Sequence, residues 1–116
     1  MALERGKLSN VVVVAAASTV GIVTVASSKK VYVKSIIAHA GTATTAYAQV
    51  YFVPNGGTSD SPSNRIFDVQ VDGGATSGTV LLEPSYPLVL DTTGDAIFVG
   101  AKTASVNFII TGDKEG

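Results

Sequence analysis

The chain has 116 residues, eight basic and nine acidic side chains, a net charge of −1, and no cysteine. That length bounds it to one domain with one core. The charge balance provides no basic face for neutralising many phosphates, which argues against direct nucleic-acid binding, and the lack of thiols excludes disulfides, thiolate metal sites and cysteine nucleophiles.

Val, Ile and Thr account for 36 of the 116 residues. Such β-branched side chains are stiff at the first torsion and suit a pleated sheet. Leu, Glu, Gln and Arg are scarce, so good helix formers other than Ala are thin. The composition predicts an all-β domain. Charged residues are 15% of the chain, against about 25% in an ordinary soluble domain. The surface is therefore covered by small polar residues or partly hidden against other subunits. A mean hydropathy of +0.36 excludes disorder.

In chain order, residues 1–10 (MALERGKLSN) lack a period and read as an extended N-terminal arm, ordered only if something holds it. The single domain is expected over 11–116. Val11 to Ala17 reads as a strand buried on both faces, and Val20 to Ala26 as a second strand. The apolar run from Val11 to Ala26, preceded by Arg5 and Lys7, loosely resembles a signal peptide. It is short of the roughly 20 residues of a spanning helix, and Ser18, Thr19, Gly21 and Thr24 break it into strand, turn and strand.

Lys30 to His39 reads as a strand with Val31, Val33, Ser35 and Ile37 on one face and Tyr32, Lys34 and Ile36 on the other. Gly41 to Thr45 is a turn. Ala46 to Val53 follows as a strand, with Ala48, Val50 and Phe52 opposite Tyr47, Gln49 and Tyr51. Pro54 ends it, and Pro54 to Ser63 forms the one long loop. Asn64 to Val71 returns to strand, with Ile66, Asp68 and Gln70 opposite Phe67, Val69 and Val71. A turn at Asp72-Gly73-Gly74 precedes a short strand at Thr79 to Leu82. Glu83 to Pro87 is a crossing segment kept out of central sheet by two prolines, and Leu88 to Leu90 is another short strand. After the turn Asp91 to Asp95, strands are expected at Ala96 to Ala101 and Val106 to Thr111, then a charged tail from Gly112. About eight strands, with turn signals every eight to twelve residues, predict a β-sandwich of jelly-roll type.

Residues that could carry chemistry are few. His39 is the only histidine, and a strand-end surface role suits it better than a metal site without second ligands. Asp91 and Asp95 flank Gly94 in a turn pattern, with Asp91 expected to make a local side-chain bond. Asp68 and Asp72 read as solvated acids. No Gly-rich phosphate loop or G-x-S-x-G elbow occurs. The expectation is a protein that is not an enzyme and uses no cofactor or metal. Tyr32, Tyr47 and Tyr51 fall opposite the Val-rich faces of two successive strands. They form either a surface patch for a protein or sugar partner, or a second buried face with wet hydroxyls.

The stretches KKVYVKSIIAHAGTATTAYAQVYFVPNGG, NRIFDVQV and LLEPSYPLVLDTTGDAIFVGAKTASVNFIITGDKE, within residues 29–115, resemble small virion proteins of tailed bacteriophages. The resemblance is one of strand and turn pattern. It implies a jelly-roll structural protein, most often a head decoration (cement) protein on the capsid exterior, made in the host cytoplasm. The implied partners are copies of itself, as a trimer by preference or a dimer, and the major capsid protein, with no nucleic acid and no membrane. A tail, neck or baseplate component, or a host-surface-binding module, is the alternative. Low charge and an apolar N-terminal run also suit an assembly subunit. The candidate partner-binding residues are Leu3, Arg5 and Leu8 in the arm, Val11, Val12, Val13 and Val14 in the apolar run, and Tyr47 and Tyr51.

Overall fold

A computed structural model describes residues 3–9, 11–27, 29–40, 45–59, 61–72 and 79–115. The expected turns at 41–45 and 72–74 lie largely outside these residues. The described chain is all-β apart from one 3-10 turn, Pro62–Asn64. The strands are β1 (Leu3–Lys7), β2 (Val12–Val14), β3 (Ser18–Thr24), β4 (Lys30–Ala40), β5 (Ala46–Val53), β6 (Arg65–Val71), β7 (Thr79–Leu82), β8 (Leu88–Leu90), β9 (Ala96–Lys102) and β10 (Val106–Glu115).

Every pairing is antiparallel, and the strands form two sheets. In the first, β10 and β4 are central; β1 and β2 share the far side of β10, and β7 and β8 share the far side of β4. In the second, the order is β3-β9-β5-β6. Counting each shared side as one lane gives two sheets of four lanes. The chain changes sheet between β2, β3, β4 and β5, and again between β6, β7, β9 and β10. That is the jelly-roll topology of two interleaved Greek keys, so the chain is a two-layered β-sandwich.

The core lies between the sheets. Val33, Ile36, Val106, Phe108 and Ile110 of one sheet and Val50, Val71, Ile97 and Val99 of the other form it, with Ala38 and Ala48 buried among them. Period-2 alternation places these residues, because one face of each strand packs and the other is wet.

The expected faces of β4 hold only for its first half. Val31 and Val33 point inward, but so do Ile36, Ala38 and Ala40. The pairing of β4 with β10 skips one residue, since Thr111 lies opposite Ser35 and Gly112 opposite Val33. Lys34 is thus the extra residue of a β-bulge, which reverses the phase beyond it. Gly112 permits the bulge: a Cβ there would run into the Tyr32 carbonyl.

Four further expectations change. Residues 3–7 of the expected arm run as β1, held by backbone pairing with Thr111 to Glu115. The expected charged tail is therefore the second half of β10, and its Asp113 is buried. The apolar run from Val11 is not buried on both faces. Its strand is only Val12–Val14, at an edge, with Val14 buried and Val13 outward. Finally, β4 and β5 belong to different sheets, so Tyr32 is separated from Tyr47 and Tyr51 and the three form no common patch.

The DTTGD turn enters β9 as expected, with Gly94 at φ 92°. Asp91 makes the local bond expected of it, accepting from the Thr92 hydroxyl at 3.3 Å, and Asp95 ties the turn down. Its buried carboxylate accepts from the Asn55 N–H at 3.1 Å and the Thr92 N–H at 3.3 Å, which fixes the 54–58 turn against this one.

Candidate interaction surface

The outward face of the first sheet carries apolar side chains in register. Ile109 of β10 lies opposite Ile37 of β4, which lies opposite Leu81 of β7. The neighbouring row is Val13, Asn107, His39 and Thr79. Val11 stands just before β2 beside these rows. Val11, Val13 and Leu81 are 62%, 65% and 53% exposed, and Ile37 and Ile109 are half-buried. Four polar side chains of the face are engaged in pairs: His39 Nδ1 is 2.7 Å from Thr79 Oγ1, and the Ser35 and Thr111 hydroxyls share a hydrogen bond. No charged residue falls in either row. A contiguous apolar face rimmed by polar groups is the form a protein–protein contact takes.

The sequence-predicted partner residues divide. Val11 and Val13 belong to this face. Val12 and Val14 point the other way, Val12 packing against the core and Val14 lying within it. Leu8 is half-buried against the core, and its N–H donates to the Ile110 carbonyl at 2.7 Å. It also lines a half-open cavity of about 320 Å³ with Ile22, Val31, Lys30 and Lys114. Leu3 and Arg5 sit in β1, opposite Glu115 and Asp113.

On the second sheet, Tyr47 is exposed and carries Lys102 Nζ 5.8 Å from its ring centre, a cation–π distance. Tyr51 is only 3% exposed. It lies opposite Phe98 of β9, and its hydroxyl donates to Gln49 Oε1 at 3.4 Å. One tyrosine is thus exposed and the other covered, so of the two alternatives the surface position holds for Tyr47 and the buried one for Tyr51.

Sequence reasoning did not place Ile37, Ile109 and Leu81 together on one outward face. The signal for Ile109 was present, since it alternates with Val106, Phe108 and Ile110. Ile37 was hidden by the bulge at Lys34.

The acids considered for chemistry stand apart. Asp68 pairs with Arg65 at 3.6 Å, and Asp72 accepts from Gln70 Nε2 at 3.3 Å. Among the described residues, no three His, Asp or Glu side chains gather as a metal-binding group, and no helix is long and apolar enough to cross a membrane.

No protein-family model matches the chain, and no curated protein matches it in sequence. Among solved structures it is similar to a chain of the virus-like particle of extra small virus from the giant freshwater prawn Macrobrachium rosenbergii, at 9% identity and TM-score 0.47, over 100% of this chain and 81% of that one. It is also similar to infectious bursal disease virus, Gt strain, at 11% identity and TM-score 0.40, over 97% of this chain and 31% of the other. A third is the VP2 subviral particle of infectious bursal disease virus, at 9% identity and TM-score 0.42, over 97% and 32%. The chain spans about a third of the two bursal-disease-virus chains. None of the three bears the name of a tailed-phage protein, and the jelly-roll assignment stands on the strand order itself.

Proposed function

We propose that the chain is a non-catalytic structural protein of a virion, a capsid decoration protein of a tailed bacteriophage that assembles with copies of itself and binds the major capsid protein on the capsid exterior. The observation that carries this reading is the uncharged apolar face of the first sheet, built from Val11, Val13, Ile109, Ile37 and Leu81. The strand-and-turn pattern of residues 29–115 supports the phage assignment. The work such a protein does is burial: covering this face across joints between capsomers adds binding free energy to the closed shell.

The reading is tested with particles that lack the chain. Heating should release their genome at a lower temperature than complete particles, and adding the purified chain should restore the difference. Equal release temperatures would contradict a stabilising role. The tail-associated or host-surface reading would use the 54–63 loop and the tyrosines as its contact site, and it draws less support because Tyr51 is covered.

A further inference from the structure

The sandwich has two long sides, each made of sheet edges, and they are protected very differently. An unpaired edge strand invites pairing with another chain, and charges, prolines and bulges are what normally prevent it. The side formed by β6, β7 and β8 carries Arg65, Asp68, Asp72 and Glu83, with Pro62, Pro84 and Pro87 in its connections. On the other side, β1 contributes Glu4, Arg5 and Lys7. Beyond β1, that side is β2 and β3, and residues 11–27 contain neither a charge nor a proline.

Of these two, β3 is the strand able to pair. It has seven residues against three in β2, and it ends the second sheet, with β9 on one side and no strand on the other among the described residues. Its ladder with β9 is regular from Ser18 to Gly21, before the register shifts between Gly21 and Val23. Val20 is 37% exposed at this edge, and Gly21 and Thr24 are exposed too.

We infer that β3 pairs antiparallel with β3 of a second copy across a two-fold axis at Thr19, so that Thr19 lies opposite its own copy and Ser18 opposite Val20, joining two second sheets into one. This rests on the self-assembly proposed above and names the contact. The occupant is a second copy because a charge-free edge meets itself without like-charge repulsion. An antiparallel strand is also its own complement about a two-fold axis, and such a contact closes at two chains. The other free edge of the second sheet, β6, would instead lay Arg65 and Asp68 against an apolar row in a head-to-tail contact with no closure built in. The product is a dimer rather than the trimer that the phage resemblance favours.

The test is sedimentation or native mass spectrometry of the full chain, with Thr19→Lys and Ile66→Lys. Thr19 lies opposite Gly100 on the outward face, where a lysine has room, and circular dichroism checks that each variant is folded. A dimer whose dissociation constant rises by about tenfold or more with Thr19→Lys is expected, because the two ammonium groups meet beside the axis. Ile66→Lys should leave it unchanged. Amide exchange across residues 18–21 should slow as concentration rises. A monomer at every soluble concentration, a trimer, or a dimer indifferent to Thr19→Lys overturns the inference. A monomer found in many copies per virion would overturn the β3 contact alone and leave the virion reading intact.

Discussion

Lys34 Nζ lies 2.8 Å from Asp113 Oδ2, and this ion pair spans the bulge that sets the inner face of the central strand pair. The lysine is half exposed while the aspartate is buried. The contact holds the extra residue of β4 outward, so that Val33 and Ile36 can both point inward. Lys34→Ala is expected to lower stability by about 1 kcal/mol, a buried carboxylate contact discounted for solvent on the lysine. Urea denaturation measures it, and an unchanged midpoint would show that the bulge holds without the pair.

Gly112→Ala should be the more damaging change at the same place. Its Cβ would meet the Tyr32 carbonyl, which is backbone and cannot swing aside. A loss of about 3 kcal/mol, at the upper end for overpacking, is expected in the same denaturation experiment.

Asp95→Ala tests the tie between the two turns. Removing a buried carboxylate that accepts two backbone N–H groups should cost about 2 kcal/mol. Amide exchange at Asn55 and Thr92 should quicken while the strands of the first sheet keep their protection.

Tyr32 gives a pH signature. Partial burial, the hydrogen bond from its hydroxyl to Glu115, and the negative charges of Glu115 and Asp91 hold its pKa above the ordinary tyrosine value. The folded state therefore binds this proton more tightly than the unfolded one. Its contribution to stability is full below about pH 10, the unfolded value, and is lost as pH rises through the folded value. Ultraviolet titration should show a late-ionising component that is lost in Tyr32→Phe.

Much of this fold is legible in the residues, and the failures have physical causes. The strands at 46–53, 79–82 and 88–90 could be read to the residue, because prolines and small polar turns bound alternating apolar runs. The faces of β4 could not, because a bulge is set by the partner strand: Gly112 stands 78 residues after Lys34. The last strand reads as ending at Thr111 because Asp113, Lys114 and Glu115 look like a solvated tail. Their place in the sheet comes from pairing on both sides, with Lys30 to Tyr32 of β4 and with β1, and β1 itself lacks any apolar period. The tyrosines fail for a topological reason. Successive strands are often neighbours, but a jelly roll sends β4 and β5 to opposite sheets. The surface is legible only in part: Val11 and Val13 stand out in the apolar run, whereas Ile37, Ile109 and Leu81 meet only through pairings far apart in sequence.

The apolar face can be tested without touching the core. Leu81→Asp and Val13→Asp change exposed side chains, so stability should move by less than about 0.5 kcal/mol. Attachment to particles should weaken markedly in both, by pull-down with purified capsids.

The most direct measurement is the number of copies of the chain per purified virion, by quantitative mass spectrometry. A decoration lattice requires a copy number comparable with that of the major capsid protein, and that is the expected result. A handful of copies, or none, would contradict the assignment to the capsid surface.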